Sequence, residues 1–154
     1  MTDIIVKPTT AADIPALRLV LDGTELFPSD VLVEMMTPYL EGQSEAFWLS
    51  CHVQNVAVGL AYTAPEALTN GTWNMLALAV LPEVHGQGCG AALVSGVEER
   101  LRLMGQRMII VETSGTEAFS TARHFYVAAG YEEEARIRDF WDKGDDKVVF
   151  RKAL

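Results

Sequence analysis

A chain of 154 residues with 49% hydrophobic content is long enough to bury one proper core, which excludes a disordered polymer. Lys and Arg number 12 against 21 Asp and Glu, a net charge of −9, and the pI near 4.7 argues against general nucleic-acid binding, which needs basic surface. Mean hydropathy is only +0.15, and no stretch approaches the roughly 20 uncharged residues of a membrane span. No basic-then-apolar leader is visible, and Cys51 and Cys89 match no metal spacing, so reduced thiols in a cytoplasmic protein without metal are expected.

In chain order, Asp3 to Lys7 suits a short strand closed by Pro8. Thr10 and Asp13 stand at capping-box spacing before Ile14, Leu17 and Leu21, which recur at helical intervals up to Asp22-Gly23. Ser29 or Asp30 can cap a second helix carrying Leu32, Met35 and Met36, which Pro38 should kink or end. Ala46–Val53 and Val56–Ala64 read as strands joined by a tight Gln54-Asn55 turn, and Thr72–Val80 follows as a third, an antiparallel meander. After Pro82 and a glycine-rich loop comes a helix over Ala91–Met104, with Val94, Val97, Leu101 and Met104 as its apolar stripe and Gly105 as its stop. Met108–Glu112 is a compact strand, parallel to the third by a right-handed crossover. A helix over Glu117–Ala129 ends at Gly130, and strands Tyr131–Trp141 and Lys147–Ala153 form a last hairpin around Asp142–Asp146. No linker or repeat divides the chain, so a single domain over 1–154 is expected.

The most informative segment is the loop. Gly86, Gly88 and Gly90 let the backbone approach a ligand closely, and they stand where a helix begins. First-turn amides there lack intrahelical partners and carry the positive end of the helix dipole. Together they suit a pyrophosphate. A dinucleotide reading, with Gly86-x-Gly88-x-x-Ala91 as fingerprint and Glu112 as the ribose acid, has two faults. Pro82–His85 separates strand from glycines, and the chain offers one parallel pair instead of several.

The run Val80-Leu81-Pro82 followed by His85-Gly86-Gln87-Gly88-Cys89-Gly90 resembles motif A of the GCN5-related N-acetyltransferase (GNAT) superfamily, and Ala122–Tyr131 resembles its motif B. The resemblance extends over nearly the whole chain. It implies an α/β (α+β) fold: a mixed, mostly antiparallel twisted sheet of about seven strands, about four flanking helices, and one parallel pair that splays apart. It further implies acetyl-CoA held by Leu78, Ala79 and Val80 along the strand and by His85, Gly86, Gln87, Gly88, Cys89, Gly90 and Ala91 at the loop, with Ser120 and Arg123 as further contacts. An N–H near Leu78 would polarise the thioester carbonyl, and Tyr126 would be the general acid. Two positions depart from the family pattern: His85 stands where Arg or Gln is frequent, and Phe119 where Asn is frequent. In this family the acceptor is bound by the first helix–loop–helix and the last hairpin, here Glu25, Phe27, Phe140 and Trp141, with Trp73 from the central strand.

No carboxylate lies within Thr72–Val80, so the base is open among Glu112, Glu25, Asp139 and, preferred, a water relay. The expectation is an acetyl-CoA-dependent N-acetyltransferase acting on a small-molecule amine by direct attack, with no nucleic-acid or membrane partner. A homodimer is a guess from the family. The rivals are a toxin acetylating aminoacyl-tRNA, which the net charge of −9 opposes, and a CoA-binding regulatory or partner-binding module without turnover.

Overall fold

A computed structural model describes residues 3–154. Seven strands form one sheet in the order β1-β2-β3-β4-β5-β7-β6: β1 Ile4–Pro8, β2 Phe47–Val53, β3 Val56–Pro65, β4 Thr72–Val80, β5 Met108–Ser114, β6 Glu132–Asp142 and β7 Asp145–Ala153. Four α-helices accompany them: α1 Ile14–Thr24, α2 Leu32–Leu40, α3 Cys89–Leu103 and α4 Ser120–Ala128. The expected mixed architecture is present, with β4 and β5 as its parallel pair, joined over Thr72–Asn74 and Met108–Ile110. No helix among the described residues is long and apolar enough to cross a membrane.

Packing divides the chain into two compact units. The first runs to Ala64 and resumes over Leu76–Arg100. Its core joins Leu17, Val20 and Leu21 of α1 and Leu32 and Met36 of α2 to Trp48, Leu60, Ala77 and Ala79 of the strands. The β2–β3 turn is the tight one expected: Gln54 and Asn55 both adopt positive φ, 51° and 65°, which matches the twist of the flanking strands. Helix α1 runs two residues past Asp22 and is closed by Glu25 in the left-handed region. Short 3-10 turns at Ala11–Asp13 and Ser29–Val31 precede α1 and α2, so the capping residues sit one turn further out than a simple helix start implies. Pro38 lies in the last turn of α2 and ends it within two residues.

The second unit comprises Pro65–Met75 and Leu101–Leu154. Gly105, at φ 74°, receives the end of α3 and donates to the Arg102 carbonyl, as its position in the sequence predicts. Met104 falls outside the apolar stripe and is 43% exposed, because α3 stops at Leu103. A 3-10 turn over Glu117–Phe119 precedes α4. The last hairpin is tighter than expected at its tip, Asp142 pairing directly with Asp145. The next pair is Ile137 with Lys147, so β6 accommodates residues 138–141 opposite the single residue 146. That surplus forms a bulge, with Asp139 at φ 54°.

Candidate functional site

In the first unit, β4 ends in a 3-10 turn over Pro82–Val84, and His85 leads into the glycines. Gly86 and Gly88 have φ of 79° and 92°, a region that glycine enters without penalty. A Cβ on Gly86 would meet nothing within 4 Å, so one side of the turn is open. The Gly88 carbonyl accepts the first α3 bond, from Ala92. The amides of Gln87, Gly88, Cys89 and Gly90 donate to no described group, as the first turn of a helix requires. Such a row of unpaired donors on glycine-permitted backbone fits a diphosphate, so the residues present suit the anionic part of coenzyme A.

His85 makes a contact within the protein. Its Nε2 lies 2.8 Å from the Val80 carbonyl oxygen and donates to it, which fixes the tautomer. The ring thereby ties the loop to the end of β4 and occupies one of the main-chain acceptors expected along the strand. Leu78 and Val80 are half-buried and Ala79 is buried. Cys89, the first residue of α3, is buried beside Cys51, and both are free thiols. Burial, with a smaller contribution from Cys89, pushes the Cys51 thiol up to about 12, which keeps it protonated and unreactive at neutral pH. Glu25 is exposed at the end of α1, and Phe27 packs against the core of this unit.

In the second unit, Tyr126 lies on α4 and is 8% exposed. Its ring packs against Phe125, Tyr131 and Phe150 at centroid distances of 5.3, 5.9 and 5.7 Å. Gly130, at φ 94°, reverses the chain after α4, so that the Tyr131 amide donates to the Tyr126 carbonyl at 2.9 Å. Burial raises the Tyr126 hydroxyl to about 12, so it holds its proton throughout the neutral range and can serve as a donor. Ser120 opens α4. Arg123 directs Nη1 to the carbonyls of Ser114 and Thr116 at 2.8 and 2.7 Å, tying α4 to the end of β5.

The acceptor-side residues separate. Trp73 is 3% exposed and its indole donates to Gln106, which places it in the core. Phe140 and Trp141, both in the β6 bulge, are about half exposed. The Trp141 indole donates to the Thr113 carbonyl at 3.2 Å, and the Phe140 ring lies 4.3 Å below the Lys147 ammonium. Lys147 pairs with Glu112, whose other oxygen accepts from Asn74 Nδ2 at 3.3 Å. Asn74 Nδ2 also donates to Glu66, at 3.4 Å. Glu112 thus belongs to a polar cluster on β4, β5 and β7. Asp139 accepts from the Gly144 amide at 2.8 Å and so braces the hairpin tip. Glu66 and Lys147 carry no signal in the sequence, because only strand register brings them beside Glu112.

The acetyltransferase (GNAT) domain family model matches residues 43–133, which include the whole glycine loop and α4. None of the curated proteins compared with the chain matches it in sequence. Among solved structures, a protein from Desulfovibrio desulfuricans assigned to the GNAT family is 28% identical, with a TM-score of 0.88 over 98% of this chain and 99% of that one. The ribosomal-protein-S18-alanine N-acetyltransferase from Escherichia coli is 17% identical, with a TM-score of 0.77 over 99% and 94%. An aminoglycoside 6'-N-acetyltransferase complexed with coenzyme A is also 17% identical, with a TM-score of 0.78 over 97% and 96%.

Proposed function

The chain belongs to the GNAT acetyltransferase family, and from that premise we propose that it moves an acetyl group from acetyl-CoA to the amine of a small molecule by direct attack. The observation that carries the reading is the row of unpaired amides from Gln87 to Gly90, opened by left-handed Gly86 and Gly88 at the start of α3.

Acetyl-CoA, when bound, supplies the activated thioester. The amides of Gln87, Gly88, Cys89 and Gly90 hold its diphosphate, a role that needs no side chain. Backbone groups of Leu78, Ala79 and Val80 align the pantetheine arm as an added strand does, and the Leu78 amide polarises the thioester carbonyl. Tyr126 Oη keeps its proton at neutral pH and gives it to the departing sulfur. Water removes the proton of the attacking amine, since β4 carries no carboxylate. Most of the rate then comes from positioning, with the acid contributing a further factor.

A small-molecule acceptor is preferred over a protein terminus on the net charge of −9. The test is thiol release from acetyl-CoA in the presence of polyamines, amino acids, aminoglycosides and peptides. Acceptor-dependent release that collapses in Tyr126→Phe supports transfer with Tyr126 as acid. Tight acetyl-CoA binding with no release on the whole panel would reject turnover.

A further inference from the structure

The turn that leads into β4 brings a nucleophile, a leaving group and a cation together at one peptide bond. Asn70 is exposed, and its side-chain amide has no partner among the described residues. Gly71 follows it at φ 87°, and the Gly71 amide likewise donates to no described group. The oxygen of the peptide that joins the two, the Asn70 carbonyl, accepts from Arg107 Nε at 2.6 Å. The Gly71 carbonyl in turn accepts from the amides of Arg107 and Met108, at 2.9 and 3.1 Å. A Cβ on Gly71 would stand 3.2 Å from Arg107 Cγ, so the absence of a side chain at this position lets Arg107 lie against the peptide.

We infer that Asn70 is a self-modifying site, at which the Gly71 amide displaces the side-chain nitrogen of Asn70 with assistance from Arg107. Hydroxide takes the Gly71 N–H proton. The freed nitrogen attacks Asn70 Cγ, an N–C bond forms, the Cγ–Nδ2 bond breaks, and the departing nitrogen takes a proton from water and leaves as ammonia. The product is a five-membered succinimide. Water opens that ring at one carbonyl or the other, which leaves an aspartyl or an isoaspartyl residue at position 70. The only co-reactants are hydroxide and water.

Arg107 is what singles out this position. Peptide resonance places the charge of the deprotonated Gly71 nitrogen largely on the Asn70 carbonyl oxygen. Guanidinium is always charged, and its hydrogen bond to an anionic oxygen is about twice as strong as one between neutral groups. The bond seen at 2.6 Å therefore strengthens as the nucleophile forms. The other asparagines of the chain lack this arrangement: Asn55 is followed by β-branched Val56, and Asn74 is buried in β4. An isoaspartyl linkage also inserts one carbon into the main chain directly before Gly71. The Gly71 carbonyl anchors the start of β5, and Thr72 with Met108 is the first rung of the parallel pair.

The experiment is timed incubation of the intact folded protein in mildly alkaline buffer, followed by peptide mapping by mass spectrometry, with an isoaspartyl methyltransferase to label the rearranged product. Asn70 should convert, and Asn55 and Asn74 should not. Arg107→Met should slow the conversion about tenfold in buffer, the weight of one charge-assisted hydrogen bond, and leave the rate in urea unchanged. Arg107→Lys, which keeps a cationic donor, should recover part of the rate in buffer. Arg107 is exposed, and melting curves verify that both variants keep the fold. An Asn70 that stays intact in folded wild-type protein overturns the site, whatever the variants do. Conversion in folded Arg107→Met as fast as in wild type, or faster, overturns the assistance by Arg107.

Discussion

His85 folds back onto its own loop, so that Nε2 donates to the Val80 carbonyl at 2.8 Å. A histidine that faces solvent on a loop is usually unconstrained. This one joins the last residue of β4 to the residue before Gly86, and so braces the turn in which the amides of residues 87–90 have no partner among the described groups. The bond gives the ring a bracing contact at the start of the glycine turn.

Replacing His85 with Ala should therefore loosen the turn without removing any ligand contact. A single hydrogen bond contributes about 1 kcal/mol, so acetyl-CoA affinity should fall about fivefold. Turnover at saturating acetyl-CoA should be nearly unchanged. Calorimetry and steady-state kinetics separate the two effects, and a direct phosphate role would instead give a strong dependence on ionic strength.

Tyr126→Phe should lower acetyl transfer by about a hundredfold, with little effect on acetyl-CoA binding. The hydroxyl lies near 12 in the folded chain because of burial, against about 10 unfolded. The folded state thus retains this proton where the unfolded state loses it. The resulting stabilisation is complete below pH 10 and disappears as pH rises through about 12. Denaturant unfolding between pH 9 and 12, compared with Tyr126→Phe, checks the sign; a flat difference between the two proteins would contradict it.

The opposite limb belongs to Asp13. Burial is the largest single influence on its carboxyl and works against the charge. The Thr10 amide, at 2.9 Å, and His52 Nε2, at 3.0 Å, together outweigh it and hold the group below the usual carboxylate value of 3.8. Its contribution is present above that value and is lost as pH falls through the folded one. Asp13→Asn should cost about 1 kcal/mol at neutral pH, and the difference should shrink as pH falls below 3.8, read from urea unfolding.

Gly59 should resist substitution. A Cβ there would stand 3.0 Å from the Ala79 carbonyl oxygen and 3.1 Å from Leu93 Cδ1. The first is backbone and cannot swing aside. Gly59→Ala should destabilise by about 1–3 kcal/mol, measured as a lower denaturation midpoint with an unchanged slope.

Local rules made much of this fold legible. The Gln54-Asn55 turn, the Gly105 and Gly130 stops and the glycine loop all follow from short-range backbone chemistry that a sequence displays. The 3-10 turns before α1, α2 and α4 did not follow, because their residues also satisfy α-helical periodicity. The Glu66–Asn74–Glu112–Lys147 cluster was illegible for a different reason. Its members lie on separate segments, and only register brings them together, Ser114 opposite Lys147 and Asn74 opposite Ile110. Trp73 illustrates the converse: an aromatic on a central strand reads as a ligand wall or as core with equal ease, and its burial decides for core.

The bulge at residues 138–141, with a one-residue shift at Glu134, confines the surplus length of the last hairpin to β6, while β7 keeps its register with β5 unbroken. Insertions or deletions in that stretch can therefore exchange Phe140 and Trp141 for other side chains without shifting a single rung of the central sheet. Grafting the corresponding stretch from a relative should therefore leave the pairing of β5 with β7 intact.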